Sequence, residues 1–455
     1  MSETAFPPGP SRLKGYAHVR AFLKNRTEFM RGLWEEYGDY VRFQLGLFDV
    51  YMISDPDMIK HVLTHHRDFH KTNAIKKLRF LVGDGLLLVE DDDHRRQRRL
   101  MQPAFQPARI ATYGDMMVAL ANDTAESWRG AEELEIHREM MGLTLRIAAQ
   151  TLFNTDVGPV TDRVAAAIKT VIPFVDRIAQ PTGALQMLLP TPTNFRLRRA
   201  RRELNDIIYG IIEEHRAKGE DQGDLLSMLI AAQDDEGDGT GMTDRQIRDE
   251  AMTIFLAGHE TTAVALGWVW HEIARHPEVE AALHEELDRV LEGRPPTMAD
   301  LPELPYTRQI LAETLRLYPP LYLLDRTPLE DWDTGKFVVP KGKYIFMSPF
   351  LMHRHPDHWA DPERFDPDRW TPEEVAKRHK FSYFPFGGGA RICIGEYFAW
   401  TEMVLVVATL AQRYRLTLLN DEPVPVMPSI TFRPEGGIHM KVEARAPAEQ
   451  AQPVA

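Results

Sequence analysis

The sequence predicts a single, mainly helical domain with small β-sheets set to one side, an α+β fold. From about residue 94 to 290 the text reads as helix after helix. Strand-like alternation is confined to short stretches at 41–54, 335–348 and 429–442. No linker separates two self-sufficient halves, so the 455 residues read as one domain, although length alone allows two or three. With 44% hydrophobic and 27% charged residues the composition is that of a globular protein. The formal net charge of -13 argues against general nucleic-acid binding, which needs a basic footprint. The one cysteine excludes an internal disulfide and fits a reducing compartment. The N-terminus, MSETAFPPGPSRLKGY, lacks the apolar core of a secretory signal, and no apolar run approaches the roughly 20 residues that span a bilayer. A soluble, cytoplasmic, monomeric protein without membrane or nucleic-acid partners is expected.

The Pro-rich start (about 1–8) and the tail (about 445–455) are expected to be poorly ordered. Residues 41–54, VRFQLGLFDVYMIS, alternate around a glycine and read as a hairpin. The helical text is interrupted by LPTPTN at 189–194 and by the acidic loop QDDEGDGTG at 233–241. A long helix, 249–277, ends before Pro277 and is apolar nearly all round, which places it through the core. In AETLRLYPP, Glu313 and Arg316 stand at i,i+3 and can pair, as a routine surface bridge or as something buried. The last stretch, SITFRPEGGIHMKV, reads as a hairpin turning at Gly436-Gly437.

Three segments carry chemistry. FPFGGGARICIGEYFAW, residues 384–400, places the lone Cys393 after three glycines and before a helix. Glycines let a backbone turn tightly and approach a bulky group. A thiol at a helix start is favoured as thiolate. A single thiolate suits haem iron, whereas zinc takes four ligands; the alternative is a buried cysteine acting as a small hydrophobe. Within the long helix, Ala257-Gly258-His259-Glu260-Thr261-Thr262 is a poor choice for a core interior. Either the segment is functional or these groups face a water pocket and satisfy one another. DDDHRRQRRLMQPAF, residues 91–105, gathers His94, Arg95, Arg96, Arg98 and Arg99 into a cationic cluster, a pattern that is usually a solvated helix face. Within it His94 and Arg98, at i,i+4, share a side.

Phe386, Gly389, Arg391, Cys393 and Gly395 spell F-x-x-G-x-R-x-C-x-G, and here the chain resembles the cytochrome P450 family. Ala257 to Thr261 match that family's [AG]-G-x-[DE]-T, Glu313 and Arg316 its E-x-x-R with Arg364 as the later P-x-R-F arginine, and His94 and Arg98 its W/H-x-x-x-R. Arg326 matches more loosely. These motifs follow the family's order and spacing over nearly the whole chain.

The resemblance implies the P450 fold and haem b, with Cys393 as the proximal iron ligand and Phe386 packed beside the sulfur. Arg391, His94, Arg98 and Arg326 would hold propionates. Ala257 and Gly258 would leave room for dioxygen, Thr261 would hydrogen-bond it, and Glu260 would feed it protons. Glu313, Arg316 and Arg364 would lock the proximal side. The substrate regions would be roughly 74–89, 172–190, 252–261, 319–325 and 429–432. Candidate lining residues are Phe80, Leu87, Leu88, Phe255, Leu256, Ala257, Leu323, Leu324 and Ile430; plain core packing is the alternative for each. They suggest a lipophilic substrate: a terpenoid, steroid, macrocycle or fatty-acid-like molecule. The turn LGLFDV has no base for a carboxylate, which disfavours a free fatty acid. Electrons are expected from a separate ferredoxin and its NAD(P)H-dependent reductase, with Arg95, Arg96 and Arg99 docking the ferredoxin. The expected activity is insertion of one oxygen atom from O2. A peroxide-driven peroxygenase, a haem-based gas sensor or an electron carrier are the rival readings.

Overall fold

The computed structural model describes residues 6–11, 14–153, 189–219, 221–234, 239–420, 422–427 and 431–445, with isolated positions 163, 166, 167, 170, 171 and 237. The main helices are α1 (Gly15–Lys24), α2 (Arg26–Tyr37), α3 (Pro56–Thr64), α4 (Asp91–Met101), α5 (Gly114–Ser127), α6 (Ile136–Phe153), α7 (Pro192–Lys218), α8 (Leu225–Ala231), α9 (Asp244–Arg275), α10 (Pro277–Leu291), α11 (Pro305–Leu317) and α12 (Glu396–Arg413).

Helix α9 organises the molecule. It begins five residues before the expected start because Thr243 and Gln246 form a capping box, a signal present in the sequence and overlooked. Its C-terminal half is buried on every side, and Trp268 is fixed there by stacking on Tyr318 and donating to the Phe432 carbonyl at 2.7 Å. Helices α5, α6, α11 and α12 pack around this half in one apolar cluster. The N-terminal half joins α4, α7 and α8 in a second.

The strands lie to one side. β1 (Tyr40–Leu45) and β2 (Phe48–Ile53) form the expected hairpin, Leu45 opposite Phe48, with Gly46 in the left-handed region at φ 61°. β3 (Phe69–His70) is a short edge, and β4 (Glu133–Glu135) precedes α6. β5 (Leu324–Pro328) follows α11, and β6 (Trp332–Asp333) pairs with β7 (Val338–Val339) in a separate two-stranded sheet. β8 (Tyr344–Met347) runs parallel to β2, giving a five-stranded sheet ordered β1-β2-β8-β5-β3. The strand-like text of 335–348 is therefore two strands in two different sheets.

The end of the chain departs from expectation. β9 (Tyr414–Leu418) and β4 both pair with β10 (His439–Ala444) as the centre of a three-stranded sheet. The Gly436-Gly437 turn does not close a hairpin on the preceding residues; Pro434 bridges to Val426 instead. The expected disorder of residues 1–8 is also too wide. The Pro8 carbonyl accepts from the Arg42 amide at 2.9 Å, and the Arg42 guanidinium sits 4.0 Å from the Phe6 ring. At the other end Arg445 is held by Asp288 at 2.9 Å.

The Glu313–Arg316 pair is wholly buried, so it is no surface bridge. Arg316 spends all five N–H groups: two on Glu313, at 2.8 and 2.7 Å, and three on the carbonyls of His353, Pro362 and Arg364. Glu313 also accepts from the Asp366 amide and from Trp370 Nε1, both at 2.9 Å. The expected third member is corrected. Arg364 points to solvent and offers only its carbonyl, whereas Arg369 reaches within 3.3 Å of Glu313. The short 3-10 helix Pro367–Trp370 packs on α11 and turns Arg369 inward.

Glu313→Ala should therefore strand a buried guanidinium and cost about 3–5 kcal/mol, read as a large drop in melting temperature or as loss of soluble protein. Arg364→Ala keeps the carbonyl and should stay within about 0.5 kcal/mol of the parent. Equal melting curves for the two variants would contradict the assignment.

Candidate active site

A cavity of about 680 Å³ opens beneath the middle of α9. Ala257, Gly258, Thr261 and Thr262 line it as a ceiling, and residues of the 386–395 loop, Cys393 among them, line it as well. Helical periodicity selects the ceiling: positions 254, 257, 258, 261, 262 and 265 share the face toward the cavity. Thr261 Oγ1 donates to the Ala257 carbonyl at 2.7 Å, and Thr262 Oγ1 to Gly258 at 3.0 Å. These bonds answer the awkward polar centre: both threonines are satisfied within the helix yet line the space.

Among the expected lining residues, Leu87, Ala257, Leu323 and Leu324 face the cavity. Leu88 and Phe255 do not; they are core residues, 1% and 2% exposed. Phe80 lies under the Arg201 guanidinium, and Leu256 packs into the apolar cluster around α7. Ile430 and most of the 172–190 and 429–432 regions lie outside the described residues. Leu86 lines the cavity in place of Leu88, and Ile254 in place of its neighbour Phe255.

The cysteine loop is built by its glycines. Gly387 and Gly389 take φ 76° and 65°, and a Cβ on Gly389 would run into the Leu63 carbonyl at the end of α3. The turn closes with the Cys393 amide donating to the Phe386 carbonyl at 2.9 Å. Phe386 sits 5.9 Å from Trp400. Cys393 is exposed and lines the cavity. Burial pushes its thiol up, partly offset by the Gly395 amide. The helix start alone therefore does not hold a thiolate here, because α12 begins beyond Gly395.

One end of the cavity is crowded with cations. Arg98 donates to the Ile392 carbonyl at 2.7 Å, Arg391 to the Val89 carbonyl at 2.6 Å and to Glu90, and Arg326 to the Asp325 carbonyl at 2.7 Å. Lys71, which sequence reasoning missed, lies among them and donates to the Leu87 carbonyl. Burial first, then Arg391 and Arg326, push its amine down to about 7. His94 is held neutral for the same reasons: burial, then Arg391 and Lys71, bring it down to about 3, so it is not part of a cationic cluster. Among the described residues, Glu90, Asp325 and, more weakly, Asp91 oppose these charges. An enclosed excess of guanidinium and ammonium groups fits a ligand with carboxylates at one edge. These residues fit a haem, whose iron Cys393 would hold and whose propionates Arg98, Arg326, Arg391 and Lys71 would meet.

Glu260 and Thr261 are not brought together. Glu260 is not among the residues that line the cavity; its carboxylate accepts from Thr431 Oγ1 at 2.6 Å and forms an ion pair with Arg433 at 2.9 Å. A second acid, Glu402, was missed. It is fully buried on α12, meets Thr262, and is pushed well above the usual carboxylate range by burial. The basic cluster on α4 is also corrected. Arg99 binds the buried Asp234 at 2.6 Å, and Arg96 binds Thr240 at 2.8 Å and approaches the same aspartate, so both tie down the 233–241 loop. Arg95 remains exposed, beside a cleft on the far side of His94 that Arg67 and Ala390 also line.

The cytochrome P450 family model matches residues 7–441. Cyclooctatin synthase of Streptomyces melanosporofaciens is 40% identical over 96% of this chain and 95% of its own length. Cyclooctat-9-en-7-ol 5-monooxygenase of the same organism is 39% identical over 93% and 90%. Pentalenene oxygenase of Streptomyces avermitilis is 36% identical over 99% and 100%. Among solved structures, the haem domain of cytochrome P450DA superposes with a TM-score of 0.87 at 27% identity, over 98% of this chain and 99% of that one. A retinoic acid bound cyanobacterial structure gives a TM-score of 0.88 at 25% identity, over 98% and 100%. The chain belongs to the cytochrome P450 family and is a monooxygenase of that family.

Proposed function

We propose that the chain uses haem b to oxygenate a terpenoid, with Cys393 as the residue whose thiolate would hold the iron. The observation that carries this reading is the pairing of a lone thiol with a threonine-lined helix across one mostly apolar cavity, closed at one end by unbalanced cations. The haem, when bound, supplies the activation of dioxygen. The chain's residues do the rest. Arg98, Arg326, Arg391 and Lys71 hold the propionates, and their mutual repulsion is relieved by those charges. The Phe386 carbonyl fixes the Cys393 main chain, and the Gly395 amide orients the sulfur. Ala257 and Gly258 keep the space over Cys393 open, and Thr261 offers a hydroxyl there. Glu260, held by Arg433, is a proton source only after its carboxylate leaves that partner; Glu402, beside Thr262, is a second acid near the same ceiling.

Leu86, Leu87, Ile254 and Leu323 favour a hydrocarbon skeleton, and the curated relatives are named for cyclooctatin and pentalenene. Electrons come from a separate acidic ferredoxin and its reductase. The cleft beside Arg95 and Ala390 suits that encounter, since it lies on the outer side of the helix that carries His94 and Arg98. Arg96 and Arg99 have little to add, their charge being spent on Asp234.

The reading is tested by titrating the purified holoprotein with terpenoid hydrocarbons, alcohols and fatty acids while following the Soret band, then identifying products with ferredoxin and reductase present. A shift with fatty acids and none with terpenoids would overturn the substrate class. Cys393→His should abolish the ferrous–CO band typical of thiolate ligation, and an unaltered band would remove Cys393 from the iron. Thr261→Ala should keep haem but divert reducing equivalents into peroxide; product per NAD(P)H equal to the parent would show that the hydroxyl is not needed.

A further inference from the structure

Two turns before the cavity ceiling, α9 buries three consecutive charged residues. Arg248, Asp249 and Glu250 are 4%, 4% and 0% exposed. Nothing in the oxygen chemistry uses them. Their partners are the main chain of one short segment, residues 81–86. Arg248 donates to the Leu81 carbonyl at 3.1 Å, Asp249 accepts from the Asp84 amide at 2.9 Å, and Glu250 accepts from the Leu86 amide at 2.9 Å. Arg248 also pairs with Asp249 at 2.7 Å and reaches Asn205 on α7. Gln97 on α4 donates to the Asp84 carbonyl at 3.0 Å from the other side.

The segment lies so close to α9 that side chains are excluded. A Cβ on Gly83 would overlap the Asp249 carboxylate, and one on Gly85 would overlap Thr253 Oγ1. Beyond the third bond the chain delivers Leu86 and Leu87 to the cavity wall, opposite Thr253 and Ile254. Among the described residues, Glu250 uses only one oxygen; the other is buried without a hydrogen-bond partner. For a purely structural anchor, a buried acid with half its capacity unmet is a costly choice. Burial pushes Glu250 up to about 8 against the pull of the Leu86 amide, with the Asp249 charge adding to the rise, so at neutral pH it is a neutral acid that glutamine imitates.

We propose that Glu250, with Arg248 and Asp249 beside it, is a positioning residue for the substrate: by fixing the main chain of residues 81–86 it sets where the Leu86–Leu87 wall stands over the cavity. This rests on the reading that the space facing Cys393 receives the substrate, and the test separates the two.

The experiment uses ligand-free holoenzyme and the variants Glu250→Leu, Glu250→Gln and Gly85→Ala. Amide hydrogen exchange at Asp84 and Leu86 should quicken roughly tenfold or more in Glu250→Leu, which leaves the Leu86 donor buried and unpaired, and return toward the parent in Glu250→Gln. Two probes then read the wall. 4-Phenylimidazole senses both the iron and the space above it, whereas imidazole senses chiefly the iron. The ratio of their affinities should change several-fold in Glu250→Leu and be restored by glutamine. A general loss of haem or fold would move both probes together. If Glu250→Leu yields no holoprotein, Gly85→Ala displaces the same segment from its own side and should change the same ratio. Unchanged exchange, or an unchanged ratio in whichever of Glu250→Leu and Gly85→Ala folds, overturns the proposal. Absence of any imidazole shift in the parent would instead count against the haem reading, while the exchange result still decides the clamp.

Discussion

The arginine at position 316 imposes the constraint on which the proximal half depends. A guanidinium removed from water is tolerated only if every N–H finds an acceptor. Here two go to Glu313 and three to carbonyls from 353, 362 and 364, so one charge dictates the course of a long irregular stretch. The effect travels further. His353, whose carbonyl Arg316 holds, accepts the Phe384 amide on Nε2 at 3.0 Å, and Tyr383 reaches the Ala312 carbonyl on α11 at 3.2 Å. From Phe384 the chain turns at once into the glycine loop that presents Cys393. The thiol's position is thus inherited from a buried ion pair in another part of the sequence.

At the edge of the cavity the logic is reversed. Arg98, Arg326, Arg391 and Lys71 are enclosed with fewer acids than bases, and the strain appears as an amine brought down to about 7. A protein with a surplus of acids overall has concentrated uncompensated cations in one enclosed place. Such an arrangement makes sense when an anion from outside the polypeptide completes it. Arg316 is complete without a ligand; the cavity end is not.

Much of this was legible in the sequence, for a physical reason. Cys393, the glycines and the Ala257–Thr262 stretch violate local expectations, and such violations survive where a site needs them. The helical core and the β1–β2 hairpin follow from periodicity. What stayed hidden was direction. Arg364 and Arg369 are five residues apart in PERFDPDRW, and only the 3-10 turn decides which faces Glu313. Arg96 and Arg99 looked free because Asp234 lies far along the chain. Leu88 and Phe255 were placed one step around from the true lining, where a shift of one residue swaps cavity for core. Lys71 has no motif around it and is identified only by the company it keeps in space.

Several unmet polar atoms of the described core lie on α9 or against it. Glu250 Oε1 and His259 Nε2 lie on α9 itself, Thr151 Oγ1 faces the cavity from α6, and Glu402 Oε1 meets α9 from α12. Along the same helix Thr253, Thr261 and Thr262 each donate back to a carbonyl four residues earlier, a bond that weakens the helix slightly. The C-terminal half of α9 is packed among tryptophans, leucines and valines, although Trp270 Nε1 and His271 Nε2 are buried there without partners among the described residues. Helix α9 therefore carries two tasks along its length. Its second half supplies much of the apolar area that stabilises the fold, while its first half carries the unmet Glu250 oxygen and the threonines that line the cavity. A uniformly well-packed α9 would be a better core helix, and it would have neither the clamp on 81–86 nor a hydroxyl facing Cys393.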